Sequence, residues 1–315
     1  MSIPDPIFLT VTLNPALDKT LFLDENAPGV TIRARRVVDL AGGKGINVAR
    51  ALRRLGAQVR SLMPLGGWSG RETERLAEVE GLHPRVVPIA GTTRLALTLR
   101  EEGTGRTWHY LEPGPSLMPD EQERLRTTFA TSLAECTGVA ISGGLPCPEV
   151  EPLLGWMVER AREAGVRVVL DTHGPALRSA ASALPWLVKP TLEELEAWAG
   201  RPLPEEAEQW AALTDLVARG PEVAVLSRGP GAVLARWRNA RFVVRPPAVA
   251  EVNTLGSGDA MVAGILWASV CSEDPAEILR WGVACGAANA AVWDPGGIER
   301  ESVEPLLGKV RVEPG

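Results

Sequence analysis

From about residue 138 the chain repeats one pattern, a short apolar run followed by a segment with helical spacing of apolar residues. Val139-Ala140-Ile141 ends at Ser142-Gly143-Gly144. Val150, Leu153, Leu154, Met157, Val158 and Ala161 then form one helical stripe, with Gly165 placed to end it. Residues 166–170, Leu187-Val188 and 223–226 read as further strands, with helical segments near 191–199 and 205–219. Strands without polar alternation belong in a parallel sheet covered by helices on both faces. The expected architecture is therefore three-layered α/β/α around a mostly parallel sheet.

The N-terminal third differs. Residues 8–13 read as a core strand and 43–55 as a helix ended by Gly56. Two strand-like stretches, 18–40 and 85–111, interrupt the core pattern, the second with a hairpin at Glu102-Gly103-Thr104-Gly105. They predict a small sheet inserted into a single domain spanning 1–315, serving as a lid over a site or as a structural flap. Asn14, Ser142-Gly143-Gly144, Asp171-Thr172, Lys189-Pro190-Thr191 and Ser227-Arg228-Gly229 all follow apolar strands. They mark the carboxyl edge of the sheet, where open α/β folds bind ligands.

Composition excludes several function classes. A net charge of -6 argues against a nucleic-acid partner, which demands a basic face. No apolar run approaches the roughly 18 residues of a membrane span, and the start MSIPDPIFLT lacks the basic region of a secretory signal. Cys136, Cys147, Cys271 and Cys285 have no metal-ligand spacing and read as reduced thiols, so a cytoplasmic location is expected.

Two segments carry chemistry. Asn253-Thr254-Leu255-Gly256-Ser257-Gly258-Asp259 leads into an apolar helix. Glycines before a helix leave backbone N–H groups free, and the helix dipole favours an anion there. An aspartate in that first turn can accept the proton of an attacking hydroxyl. It can equally serve only to stabilise the helix end. The second segment, Gly42-Gly43-Lys44-Gly45-Ile46-Asn47-Val48-Ala49-Arg50-Ala51-Leu52, again sets glycines before a helix, with a lysine beside them. Its spacing is not that of a Walker A loop, and no G-x-G-x-x-G follows a strand, so a dinucleotide enzyme finds no support.

With Thr12-Leu13-Asn14-Pro15-Ala16-Leu17-Asp18 and Val188-Lys189-Pro190, these segments resemble the ribokinase-like PfkB family of carbohydrate kinases. Within it they resemble the branch of 1-phosphofructokinases and tagatose-6-phosphate kinases. The motifs come in the family's order and the resemblance covers essentially the whole chain. It implies a ribokinase-like fold with a β-lid that pairs two subunits into a homodimer, and Mg²⁺-ATP as phosphoryl donor. Asp259 would be the catalytic base, with the backbone of Gly256, Ser257 and Gly258 as the anion hole. Asp18, Gly43 and Asn47 would line the sugar pocket, and Lys44 with Arg94 would hold the substrate's phosphate. Lys189 and Glu194 would belong to the nucleotide-phosphate network, Glu194 reaching the metal through water. Thr254, Ser227, Gly229 and Gly231 would border ATP, and the small-residue stretch 282–291 would lie beside adenine. Glu194 also reads as a solvated helix-surface carboxylate, and the small residues as plain helix packing.

Three positions depart from the pattern. Ala96 stands where an asparagine is usual, Thr191 where another is, and Gly144 replaces a serine. They lie at the sugar-phosphate and nucleotide ends and leave the Asp259 end intact. Fructose-1-phosphate, tagatose-6-phosphate and fructose-6-phosphate stay open as substrates. So does a catalytically idle sugar-phosphate-binding protein. A kinase of a neutral sugar is disfavoured, because Lys44 and Arg94 would be two cations without a phosphate.

Overall fold

The computed structural model describes residues 6–315. The first five residues, part of the start read as lacking a secretory signal, lie outside it. The strands are β1 (Ile7–Val11), β2 (Ala16–Leu23), β3 (Arg36–Gly42), β4 (Gln58–Leu65), β5 (Pro84–Pro88), β6 (Arg94–Glu101) and β7 (Thr107–Leu111). They continue with β8 (Gly138–Ser142), β9 (Arg167–Asp171), β10 (Leu187–Val188), β11 (Val223–Leu226), β12 (Val233–Trp237), β13 (Ala240–Arg245) and β14 (Arg311–Pro314). The α-helices are α1 (Lys44–Arg54), α2 (Gly67–Val79), α3 (Pro119–Leu133), α4 (Glu151–Glu163) and α5 (Gly174–Ala181). After them come α6 (Leu192–Ala199), α7 (Glu206–Ala218), α8 (Ser257–Ala268), α9 (Pro275–Ala290) and α10 (Arg300–Leu307).

Ten strands form one sheet in the order β14-β13-β12-β11-β10-β9-β8-β1-β4-β5. The run from β11 to β5 is parallel throughout, and β12, β13 and β14 close the other edge antiparallel. Side-chain alternation along these strands divides the interior into two cores. Phe8, Ala140, Val169, Leu187 and Val225 pack on one face with α1, α8 and α9. Leu9, Val11, Ile141, Leu170 and Leu226 pack on the other with α3, α4 and α7. Each such fully buried aliphatic or aromatic side chain contributes about 1.5–3 kcal/mol of transfer free energy. That is the physical reason the strands carry no polar alternation.

The remaining strands make a separate four-stranded sheet, β3-β2-β6-β7. The expected stretch 85–111 is thereby corrected: its first part, β5, pairs in parallel with β4 in the large sheet, and only β6 and β7 enter the small one. The periodicity of residues 84–88 did not distinguish the two sheets, because both require short extended runs. The first stretch also shifts, β2 starting at Ala16 and β3 ending at Gly42. The small sheet is anchored where Phe22 packs on Trp293 with ring centroids 5.4 Å apart and Arg100 lies 5.0 Å over the same indole. Val37, Tyr110 and Leu111 remain exposed on it. Among the described residues no helix is long and apolar enough to cross a membrane.

Candidate active site

The carboxyl ends of β1, β8 and β9 converge with the N-termini of α1 and α8. Among the described residues, six of the eight buried side-chain atoms without a hydrogen-bond partner lie on Thr12, Asn14, Arg94, Ser142, Asp171 and Thr172, at this edge or on the small sheet beside it. Buried polar groups are normally paired, and leaving one unmade costs about 1–3 kcal/mol. Their concentration at one place marks a ligand site.

The loop before α8 is held from behind. Asn289 Nδ2 donates to Leu255 O at 2.9 Å, and its Oδ1 accepts from Gly296 N at 2.7 Å. Asn253 Nδ2 donates to Trp293 O at 2.8 Å. Gly256 takes φ of 82°, and a Cβ there would meet Pro295 at 2.7 Å, so glycine is required twice over. α8 starts at Ser257, which puts Asp259 in the first turn, as expected. The N–H groups of Gly256 and Gly258 thus head a helix dipole, whereas that of Ser257 donates to Thr254 O at 3.1 Å. A Cβ on Gly258 would lie 3.2 Å from Lys189 Nζ, so a buried ammonium flanks the same turn.

Asp259 is 5% exposed and accepts from Asn47 Nδ2 at 2.8 Å. Burial, aided by Asp171, pushes its carboxyl up to about 7, against the pull of Lys44, the Asn47 donation and Lys189. A carboxylate poised near neutrality is suited to accept a proton.

Lys44 begins α1 after Gly43, whose φ is 121°. Its Nζ lies 3.4 Å from Asp171 Oδ1 and 3.7 Å from Glu194 Oε1, and Lys189 Nζ lies 3.6 Å from the same Asp171 oxygen. Burial alone would lower the Lys44 pKa; Asp171, Asp259 and Glu194 outweigh it and hold it above the ordinary value. Asp171 is thus a hub between two cations, a part its place after an apolar strand hinted at but did not fix. Arg94 has different partners: its Nη2 donates to Asn14 O at 3.2 Å, and its charge acts on Asp18. The two cations expected to share one phosphate therefore face different partners, Lys44 on the Asp259 side and Arg94 on the Asp18 side.

Asp18 stands on β2 against Gly42, where a Cβ would lie 2.3 Å from its carboxyl carbon. Burial pushes it up to about 6, with Arg50 and Arg94 opposing. Ala96 is its register partner on β6, which leaves more room beside Asp18 than an asparagine would. Gly144 has its own local reason: a Cβ there would come within 2.9 Å of His173 Nε2. Thr191 caps α6, its Oγ1 accepting from Glu194 N at 3.3 Å while Glu194 Oε2 accepts from Thr191 N at 2.8 Å. One oxygen of Glu194 is therefore committed to the cap and the other faces Lys44; its side chain is 15% exposed, not solvated.

Ser227 lies next to this cap through a parallel bridge to Thr191. Gly229 and Gly231 follow it in the turn before β12, and Thr254 is an exposed residue whose carbonyl accepts from Ser257 N at 3.1 Å. Residues 282–291 lie almost wholly in α9, and the small ones serve helix packing: a Cβ on Gly282 would meet Ile265 at 2.5 Å, one on Gly264 the Cys285 sulfur at 2.7 Å. Arg50 and Asn289 were not singled out from the sequence. No signal in composition or spacing distinguishes a buried arginine or asparagine inside a helix.

A doubly covered parallel sheet, an anion-binding helix terminus beside a near-neutral buried carboxylate, and lysines at the same edge define a protein built for phosphoryl transfer. The sequence pattern of the pfkB family of carbohydrate kinases matches residues 11–295, and the chain belongs to that family. It is 39% identical over 274 residues to a 1-phosphofructokinase of Xanthomonas campestris pv. campestris, covering 86% of each chain. To the 1-phosphofructokinase of Escherichia coli K12 it is 32% identical over 312 residues, 97% of each. To the ATP-dependent 6-phosphofructokinase isozyme 2 of Mycobacterium tuberculosis it is 33% identical over 95% of this chain and 88% of that one. Among solved structures, phosphofructokinase-2 from Escherichia coli in complex with potassium superposes with a TM-score of 0.89 at 28% identity, over 97% of this chain and 99% of that one.

Proposed function

We propose that this chain transfers the γ-phosphoryl group of ATP to the free primary hydroxyl of a ketohexose phosphate, fructose-1-phosphate in first place, with Asp259 as base. The observation that carries the reading is Asp259 itself, raised to about 7 in the first turn of a helix whose N-terminus and Lys189 can take up negative charge. Relatives named 1-phosphofructokinase and phosphofructokinase support the substrate class. Asp259 takes the proton of the hydroxyl, whose oxygen attacks the γ-phosphorus in line as the bond to ADP breaks. The N–H groups of Gly256 and Gly258, with Lys189, stabilise the charge on the transferring group, while Ser257 N–H is held by Thr254 O. Asp18 accepts from sugar hydroxyls and Arg94 holds the existing phosphate, while Lys44 approaches the phosphates from the Asp259 side. Ser227, Gly229, Gly231 and Thr254 border the nucleotide.

Among the described residues no three His, Cys, Asp or Glu side chains gather to hold a metal. The oxygen donors near the lysines, Asp171 with its unpartnered Oδ2 and Glu194, fit a hydrated Mg²⁺ held mainly by the nucleotide. When bound, Mg²⁺ would neutralise phosphate charge, Glu194 reaching it through water. The small sheet, carrying Asp18 and Arg94, acts as a lid, and its exposed Val37, Tyr110 and Leu111 favour a homodimer paired through it. No membrane or nucleic-acid partner is needed, and a cytoplasmic site of action fits the substrates.

Replacing Asp259 with Asn tests the reading. Turnover should fall about 10²–10⁴-fold, the usual contribution of a general base, while sugar-phosphate and ATP binding by calorimetry persist. Near-normal turnover would remove Asp259 from that role.

A further inference from the structure

Arg50 lies one helical turn after Asn47 on α1 and is 5% exposed. Its Nη1 donates to Asn47 Oδ1 at 3.0 Å and to Pro295 O at 2.7 Å. Its Nη2 donates to Ala41 O at 2.8 Å and Glu80 Oε1 at 2.9 Å, and Nε pairs with Glu80 Oε2. The planar fork is thus fixed on every side. With a cation on its Oδ1, the Asn47 amide can present only its NH₂ to Asp259. A flipped amide would aim N–H groups at the guanidinium and its oxygen at the carboxylate. The other two carbonyls matter as well. Ala41 precedes the glycine that packs on Asp18, and Pro295 backs Gly256.

We propose that Arg50 is a positioning residue for phosphoryl transfer: its guanidinium orients the Asn47 amide so that Nδ2 donates to Asp259, and joins that pair to the end of β3 and the loop behind the anion hole. This rests on reading Asp259 as the base. Packing alone would be served by an apolar side chain without the desolvation cost of a buried charge. The charged groups facing Asp259 are Asp171 after β9's apolar run, Lys44 from α1 and Lys189 beyond β10; those acting on or pairing with Arg50 are Glu80 at the end of α2 and Asp18 on β2. Arg50 bonds to Asn47, which bonds to Asp259, so it reaches that group through Asn47.

The test is the pH profile of kcat for wild type, Arg50→Met, Asn47→Ala and the double variant. Arg50→Met should lower kcat about 10- to 100-fold, as expected of misplacement at a reacting centre. Loss of the oriented donor raises the Asp259 pKa, so the acid-side midpoint moves to higher pH. Asn47→Ala should move it equally, and the double variant no further. Arg50→Lys retains the buried cation should the methionine variant not fold; its ammonium lacks the two-nitrogen fork that ties Asn47 and Pro295 to Ala41 and Glu80, so the midpoint moves in the same direction but less far. A midpoint unchanged in the Arg50 variants, or shifts that add in the double variant, would overturn the proposal. Wild-type turnover in Asp259→Asn would instead defeat the underlying reading, whereas an inactive Asp259→Asn with unmoved Arg50 profiles defeats only this inference.

Discussion

Asn47 Nδ2 donates to Asp259 Oδ2 at 2.8 Å across 212 residues of sequence, binding the two glycine-led helices α1 and α8 into one site. That contact opposes the burial that otherwise neutralises Asp259, and it sets the first prediction. With Asp259 at about 7, kcat should decline as pH falls through that value, because only the ionised form accepts a proton. The profile of kcat/KM should carry a second acid-side step near 6 from Asp18. Flat profiles between pH 5 and 8 would contradict both assignments.

The same group has a consequence for stability. The folded pKa of Asp259 lies above its ordinary 3.8, so the folded protein binds a proton more tightly than the unfolded chain. Its contribution is most favourable below the ordinary value and is lost as pH rises through about 7. Asp259→Asn, inactive, should therefore melt higher than wild type at pH 8, by about 2 °C or more, and show no such advantage near pH 4. Differential scanning calorimetry at the two pH values decides it.

Gly256→Ala should cost both stability and turnover. The left-handed backbone and the 2.7 Å approach to Pro295 leave no room for a methyl group, and about 1–3 kcal/mol of strain is expected. Since the loop supplies the anion hole, kcat should drop at temperatures where circular dichroism reports the protein folded. Wild-type kcat would mean the loop takes no part in charge stabilisation.

Lys44→Ala separates two readings of one lysine. Its contacts with Asp171 and Glu194 put it on the side of Asp259, while Arg94 keeps to Asn14 and Asp18. If Lys44 bears on the substrate phosphate, KM for the sugar phosphate rises most; if only KM for ATP rises, it belongs to the nucleotide end.

The exposed apolar residues of the small sheet make a further prediction. Leu111→Asp, at a side chain 67% exposed, should shift a lid-paired dimer towards monomer in sedimentation velocity without loss of fold. A sedimentation coefficient unchanged by the substitution would place the subunit contact elsewhere.

The large sheet was legible because its strands are apolar on both faces, and its carboxyl edge because each strand ends in polar residues. Asp259 and the glycines were legible because few residue types tolerate a helix start against an anion. Less could be read where extended runs look alike, as with β5, whose membership in the large sheet depends on pairing with β4. Arg50 and Asn289 were hidden for another reason, and Asp171 was legible only as a residue of the carboxyl edge. Their parts depend on contacts between distant segments, such as Asn289 with Gly296 and Asp171 with both lysines. Of the three departures, Gly144 and Thr191 have local explanations in His173 and the α6 cap, and Ala96 leaves room beside Asp18.

The central claim is best tested by ADP release from Mg-ATP against fructose-1-phosphate, fructose-6-phosphate, tagatose-6-phosphate, fructose, ribose and adenosine. A strong preference for one ketohexose phosphate, fructose-1-phosphate first, is expected. Turnover confined to an unphosphorylated acceptor, or no turnover despite tight sugar-phosphate binding, would contradict it.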